Sequence, residues 1–148
     1  MMIAEVKKEQ LDELAALDER IFPESPWGRE TFAENLNNSY DICLAAVDET
    51  SGRLMGFALL RTLDVAELLL IGTDECCRGQ GIGSALMERL LKEAAEAGCP
   101  SLMLEVREHN LQAVRLYEKY GLREAHRRYG YYSNPKEDAI IMAKELRE

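Results

Sequence analysis

The chain has 148 residues, 47% of them hydrophobic, and its 27 acidic and 18 basic side chains give a formal charge of -9. That length suits one domain over residues 1–148 with one sizeable core, burying about two-thirds of the unfolded surface. The acidic balance disfavours nonspecific affinity for nucleic acid and loosely suits a basic partner. No run approaches the roughly 20 apolar residues of a membrane span, and the first residues lack the charged-then-apolar layout of a secretory leader. The expected location is therefore the cytoplasm, with neither membrane nor nucleic acid as partner. Cys43, Cys76, Cys77 and Cys99 show no C-x-x-C spacing, so no disulfide framework and no metal site are expected.

Residues 2–6 read as an opening strand. Residues 9–22 carry Leu11, Leu14, Ala15, Leu17, Ile21 and Phe22 at helical spacing. Pro23 and Pro26 interrupt that helix, and residues 28–37 form a second, anchored by Phe32 and Leu36. Between them lies a loop holding Phe22 and Trp27; Trp27 reads either as a lid on the core or as a wall of a substrate groove. Residues 42–47 and 53–62 are apolar runs joined by Asp48-Glu49-Thr50-Ser51-Gly52, the chemistry of a hairpin turn. Gly56 inside the second run marks a bulge or a close backbone approach. After a turn at 64–66, residues 67–73 form an apolar run short enough for a buried strand.

Arg78-Gly79-Gln80-Gly81-Ile82-Gly83 follows that strand and precedes a helix over 84–97, whose Leu86, Met87, Leu90, Leu91, Ala94 and Ala95 share one face. Glycines permit positive φ and close approach of a ligand to the backbone. The first-turn amides of a helix lack intrahelical partners and sit at its positive end, which favours an anion there by up to about 2 kcal/mol. The stretch thus reads as a phosphate cradle, with an ordinary tight turn as the competing reading. It is not the nucleotide P-loop, because no Lys-Ser/Thr follows Gly83, and it is not G-x-G-x-x-G.

Gly98 and Pro100 end the helix. Residues 101–107 alternate, Leu102, Leu104 and Val106 facing one way and Met103 and Glu105 the other. Asn110 can cap a helix over 111–120, striped by Ala113, Val114, Leu116, Tyr117 and Tyr120, with Gly121 at its end. Residues 122–132 and 139–146 read as closing strands joined by Ser133-Asn134-Pro135-Lys136-Glu137-Asp138. The order β-α-α-β-β-β-α-β-α-β-β predicts an α/β (α+β) fold, a mixed sheet with helices on its faces. Ligands of open α/β sheets bind beyond the carboxyl ends of strands, where both Glu105 and the glycine loop fall.

With Arg78, Gly81 and Gly83 matching the pattern Q/R-x-x-G-x-G/A, the chain resembles the GNAT acetyltransferases over essentially its whole length. Leu104-Glu105-Val106-Arg107, Asn110, Leu116-Tyr117 and Gly121 are similar to the RimI-type enzymes that acetylate the N-terminus of ribosomal proteins. So are Tyr131-Tyr132, Glu137-Asp138-Ala139 and Met142, and Pro26-Trp27 with Phe32 near the start. The chain departs from the family where Glu75 replaces a usual proline, Cys77 a usual aromatic, and Gly72-Thr73 a common Ala-Val pair.

The resemblance implies the GNAT fold, a single mixed, mostly antiparallel sheet of about seven strands flanked by about four helices, with acetyl-CoA as cofactor. It implies a cofactor site of Ile71, Thr73, Arg78, Gly79, Gln80, Gly81, Ile82, Gly83, Ser84, Asn110 and Tyr117. It assigns Glu105 as the base and Tyr117 as the acid of a direct transfer with no acyl-enzyme. Phe22, Trp27, Tyr131 and Tyr132 are the implied walls of a groove for a peptide or protein N-terminus, a ribosomal protein among the candidates. A small amine or lysine side chain as acceptor, or a non-catalytic acyl-CoA-binding module, are the alternatives.

Overall fold

The structure, a computed structural model, describes residues 1–147. In chain order it contains β1 (Met2–Glu5), a 3-10 turn (Lys8–Gln10), α1 (Leu11–Ile21), α2 (Arg29–Asn37), β2 (Asp41–Val47), β3 (Leu54–Thr62), β4 (Ala66–Thr73), a second 3-10 turn (Glu75–Cys77), α3 (Ile82–Glu96), β5 (Ser101–Arg107), α4 (Leu111–Lys119), β6 (Arg123–Tyr132) and β7 (Glu137–Glu145). All seven strands join one sheet in the order β1-β2-β3-β4-β5-β7-β6. Only β4 and β5 pair in parallel; every other pair is antiparallel. Among the described residues, no helix is long and apolar enough to cross a membrane.

Alternation along the central strands sends side chains to two separate layers. Leu44, Ala46, Ala58, Leu60, Leu68, Leu102, Leu104 and Val106 meet α3 and α4 through Leu86, Met87, Leu90 and Tyr117. Cys43, Ala45, Phe57 and Leu59 meet α1 and α2 through Leu14, Leu17 and Phe32. Fully burying a leucine of this kind is worth about 1.5–3 kcal/mol. The α1–α2 layer draws on β2, β3 and β4 and on no residue of β5, β6 or β7.

The site depends on an irregularity in β4. Leu59 pairs with Leu70 but Leu60 with Leu68, so Leu69 is an extra residue, a β-bulge that bends and twists its strand. Pairing of β4 with β5 covers only Ala66, Glu67 and Leu68, against Leu102, Met103 and Leu104. Beyond the bulge the two strands part.

The sequence places the elements well, with three corrections. The predicted helix over 9–22 is a 3-10 turn followed by α1, because the capping interaction at Lys7, whose N–H donates to Gln10 Oε1 at 2.8 Å, tightens the first turn. The expected loop 78–83 gives up its last two residues to α3, which begins at Ile82 with Gly81 as its N-cap. The run 67–73, read as a buried strand, is half-exposed from Leu69 onward, since its neighbour β5 has turned away.

Asp74 ties these parts together. Its side chain is only 8% exposed and accepts from Arg20 of α1 at 3.0 Å and Arg53 at 2.8 Å. Its own N–H donates to Met55 O, and its carbonyl accepts from Cys77 N–H, both at 2.8 Å. Burial opposes the charge, but hydrogen bonds from Arg20 and Arg53 outweigh it and hold the carboxyl below its ordinary range. A carboxylate with a depressed folded pKa stabilises above its unfolded value and loses that contribution as pH falls through the folded one. Asp74→Asn should therefore unfold at lower temperature than wild type at pH 7, with a gap that is constant above about pH 5 and narrows as pH falls below the ordinary aspartate value of about 4. Thermal melts followed by circular dichroism check this; a gap independent of pH across that range contradicts it.

Candidate active site

The parting of β4 and β5 opens a cleft of about 380 Å³ between the glycine loop and α4. Gly79 and Gly81 have φ of +80° and +76°, and nothing lies within 4 Å of where a Cβ would stand at either. Their backbone is left uncovered. The first α3 hydrogen bond runs from Ala85 N–H to Gly81 O at 3.0 Å, so the amides of Ile82, Gly83 and Ser84 precede it and face outward from the positive helix end. Glycine is needed at 72 for a different reason: a Cβ there would stand 2.7 Å from Ile21 Cγ2 and 3.1 Å from Phe22 Cζ.

Ile71, Thr73, Arg78, Gly79, Gly81, Ile82, Gly83, Ser84, Asn110 and Tyr117 all line this one cleft, and Phe22 lines it with them. Gln80 does not. Asn110 caps α4, its Oδ1 accepting from Ala113 N–H at 3.3 Å. Tyr117, one turn and more along that helix, is buried, and desolvation pushes its phenol up to about 12.

Glu105 lies on the opposite face of β5 from Leu104 and Val106, and it is exposed where they are buried. The hydroxyl of Tyr132 donates to Glu105 Oε1 at 3.2 Å. Tyr131 meets the Tyr132 ring edge-on at 5.1 Å. The guanidinium of Arg107 sits 4.0 Å from the centre of the Tyr132 ring and donates to Glu137 at 2.9 Å, which also accepts from His109 N–H at 3.2 Å. The hydrogen bond from Arg107, joined by that from the His109 N–H, holds the Glu137 carboxyl below its ordinary range against the opposing effect of burial. Trp27 lies elsewhere, stacked on Phe32 at 6.4 Å in the α1–α2 layer.

Sequence reasoning missed Arg107 and Glu137 as supports of Tyr132, since Glu137 reads as part of a polar turn. It also missed the bulge at Leu69. The available signal was the unbroken run Leu68-Leu69-Leu70, which no strict alternation can distribute between two faces.

A backbone cradle at a helix N-terminus and a buried phenol thus line one cleft, and an exposed carboxylate lies on the opposite face of β5. The pattern of the "Acetyltransferase (GNAT) family" matches residues 9–122. The chain belongs to the GNAT acetyltransferases. This acetyltransferase is 40% identical over 121 residues, 80% of each chain, to the [Ribosomal protein bS18]-alanine N-acetyltransferase of Escherichia coli K12. It is 36% identical over 122 residues to the enzyme of that name from Haemophilus influenzae, covering 80% of this chain and 81% of the other. The crystal structure of the ribosomal-protein-alanine acetyltransferase from Escherichia coli superposes with a TM-score of 0.88 at 33% identity, covering 99% of this chain and 94% of that one. Arabidopsis thaliana NAA60 in complex with acetyl-CoA shares the fold at a TM-score of 0.85, 23% identity and 97% coverage of both chains.

The Tyr132 phenol is pushed up to about 12 by burial first and then by the Glu105 charge beside it. Glu105→Gln removes that charge, so Tyr132 should ionise at lower pH in the variant. Alkaline titration of tyrosinate absorbance, with Tyr132→Phe identifying the signal, reads the shift. An unchanged titration contradicts the contact.

Proposed function

We propose that this acetyltransferase is a single domain over residues 1–148 that uses acetyl-CoA to acetylate the α-amino group of a protein N-terminus, a ribosomal protein being the candidate. The observation that carries the reading is the Glu105–Tyr132 contact of 3.2 Å, on the face of β5 opposite the cleft that Tyr117 and Asn110 line. The relatives named above as N-acetyltransferases of a ribosomal-protein alanine support the acceptor class.

The cleft fits the cofactor. Uncovered amides at Gly79 and Gly81, the α3 amides of Ile82, Gly83 and Ser84 and the charge of Arg78 suit a pyrophosphate. Gln80 adds its backbone to the loop, Ile71 and Thr73 offer backbone groups to the pantetheine arm, and Asn110 offers its side chain near the sulfur. Bound there, acetyl-CoA supplies the acetyl thioester.

The chain's own residues then handle protons. An α-ammonium has a reference pKa of about 7.7–8.0, so Glu105 takes its proton at neutral pH, directly or through a water. The Tyr132 hydroxyl occupies Oε1 of Glu105 and leaves Oε2 for the amine. Tyr117, whose phenol is pushed up to about 12, keeps its proton at neutral pH and holds it for the leaving sulfur. Tyr131 and Tyr132 form one wall for the peptide; Phe22 lines the cofactor cleft instead, and Trp27 supports its loop from the α1–α2 layer.

Incubation with acetyl-CoA and short peptides that differ in their first residue, each with one internal lysine, tests this. Mass mapping should find the α-amine acetylated ahead of lysine and of free polyamines. Acetylation of lysine or polyamines alone overturns the reading. Glu105→Gln should lower turnover by about 10²-fold with cofactor affinity nearly intact; unchanged turnover removes Glu105 from the base role.

A further inference from the structure

Between β4 and the glycine loop lies the adjacent pair Cys76-Cys77, which the proposed reaction does not use. The two sulfurs are 3.5 Å apart. Cys76 is exposed and Cys77 buried, and Cys77 lines the cleft. The pair thus spans the boundary between solvent and the cofactor wall. Arg53 Nη2 donates to the Cys76 sulfur at 3.3 Å, which holds that sulfur at the exposed end of the pair. The same nitrogen donates to Asp74 at 2.8 Å, which offsets part of its charge but fixes it in place. Cys43 and Cys99 offer a contrast. Both are buried, burial pushes the Cys43 thiol up to about 12, and the Cys99 thiol donates to Leu63 O at 3.6 Å.

We propose that Cys76 and Cys77 form a reversible oxidation site, a vicinal dithiol that hydrogen peroxide converts to a disulfide, and that this reshapes the glycine loop. Cys76 gives up its thiol proton and its sulfur attacks one peroxide oxygen, breaking the O–O bond; the sulfur becomes a sulfenic acid and the other oxygen leaves as water with that proton. The Cys77 thiol then gives up its proton and attacks the Cys76 sulfur. Hydroxide departs and leaves as a second water with that proton. Two thiols lose two electrons, and one peroxide becomes two waters.

Bond formation at about 2.05 Å draws together sulfurs that stand 3.5 Å apart. Cys77 packs in the α3–α4 core layer beside Ile82, and its turn is held by Cys77 N–H to Asp74 O at 2.8 Å and Arg78 N–H to Glu75 O at 3.4 Å. A shift there passes directly to Arg78 and Gly79. The consequence for cofactor affinity rests on the reading of this cleft as the acetyl-CoA site.

The test treats reduced full-length protein with hydrogen peroxide, alkylates free thiols and digests with trypsin, which releases residues 62–78 carrying Cys76 and Cys77 and no other cysteine. That peptide should be unalkylated and about 2 Da lighter than the dithiol form, reverting with dithiothreitol. The dissociation constant for coenzyme A, read by calorimetry, should rise about tenfold on oxidation, the worth of one hydrogen bond to a charged group, and recover on reduction. Cys76→Ser should keep the affinity of reduced wild type under peroxide. A sulfinic acid at Cys76 without the cross-link, a cross-link to Cys43 or Cys99, or equal affinity in both states overturns the proposal. Failure of reduced wild type to bind coenzyme A overturns the cofactor reading instead, and the peptide mass still decides the oxidation site.

Discussion

The parting of β4 from β5 after Leu68 and Leu104 is the constraint on which the site depends. It follows from one extra residue, Leu69, that β3 does not match. A regular strand would have continued the ladder to Ile71, opposite Arg107 at the end of β5, and left no gap there. The bulge instead sends the second half of β4 toward α1, where Leu69 and Leu70 pack on the α1–α2 layer. Alternation along β5 puts Glu105 on one face and Leu104 and Val106, in the core layer with Tyr117, on the other. A buried phenol and an exposed carboxylate are thus set on opposite faces of the sheet beside one opening without either leaving its element.

Two buried carboxylates keep the rims of that opening in shape. Asp74 gathers α1, β3 and the approach to the glycine loop through Arg20 and Arg53. Glu137 gathers the end of β5 and the start of α4 through Arg107 and the backbone of His109, and Arg107 in turn supports the ring of Tyr132. Breaking a buried pair of this kind leaves a desolvated charge behind, so such contacts enforce geometry even where their net contribution to stability is small. Both are long-range, joining residues far apart in sequence.

That range explains what could be read in advance. Period-2 alternation in 101–107 and helical spacing in 111–120 are local signals, and they located the elements that carry Glu105, Asn110 and Tyr117. The glycines at 79, 81 and 83 are a local signal too, and they marked the cradle. The roles given to those residues came from resemblance to a family, not from the pattern itself. What stayed illegible was set by partners: the bulge at Leu69 exists only relative to β3, and Glu137 is a support only once Arg107 lies beside it. Phe22 illustrates the same point. Its place in the chain suggests a groove wall together with Trp27, yet packing against Gly72 brings its ring to the cleft beside the glycine loop while Trp27 stacks on Phe32.

A crystal structure with coenzyme A bound measures the central claim most directly. The account predicts pyrophosphate oxygens on the amides of residues 79–84 and the sulfur between β4 and β5, within a hydrogen-bond distance of about 2.6–3.5 Å from the Tyr117 hydroxyl. A pyrophosphate held away from the glycine loop, or a sulfur outside the parted strands, would contradict it.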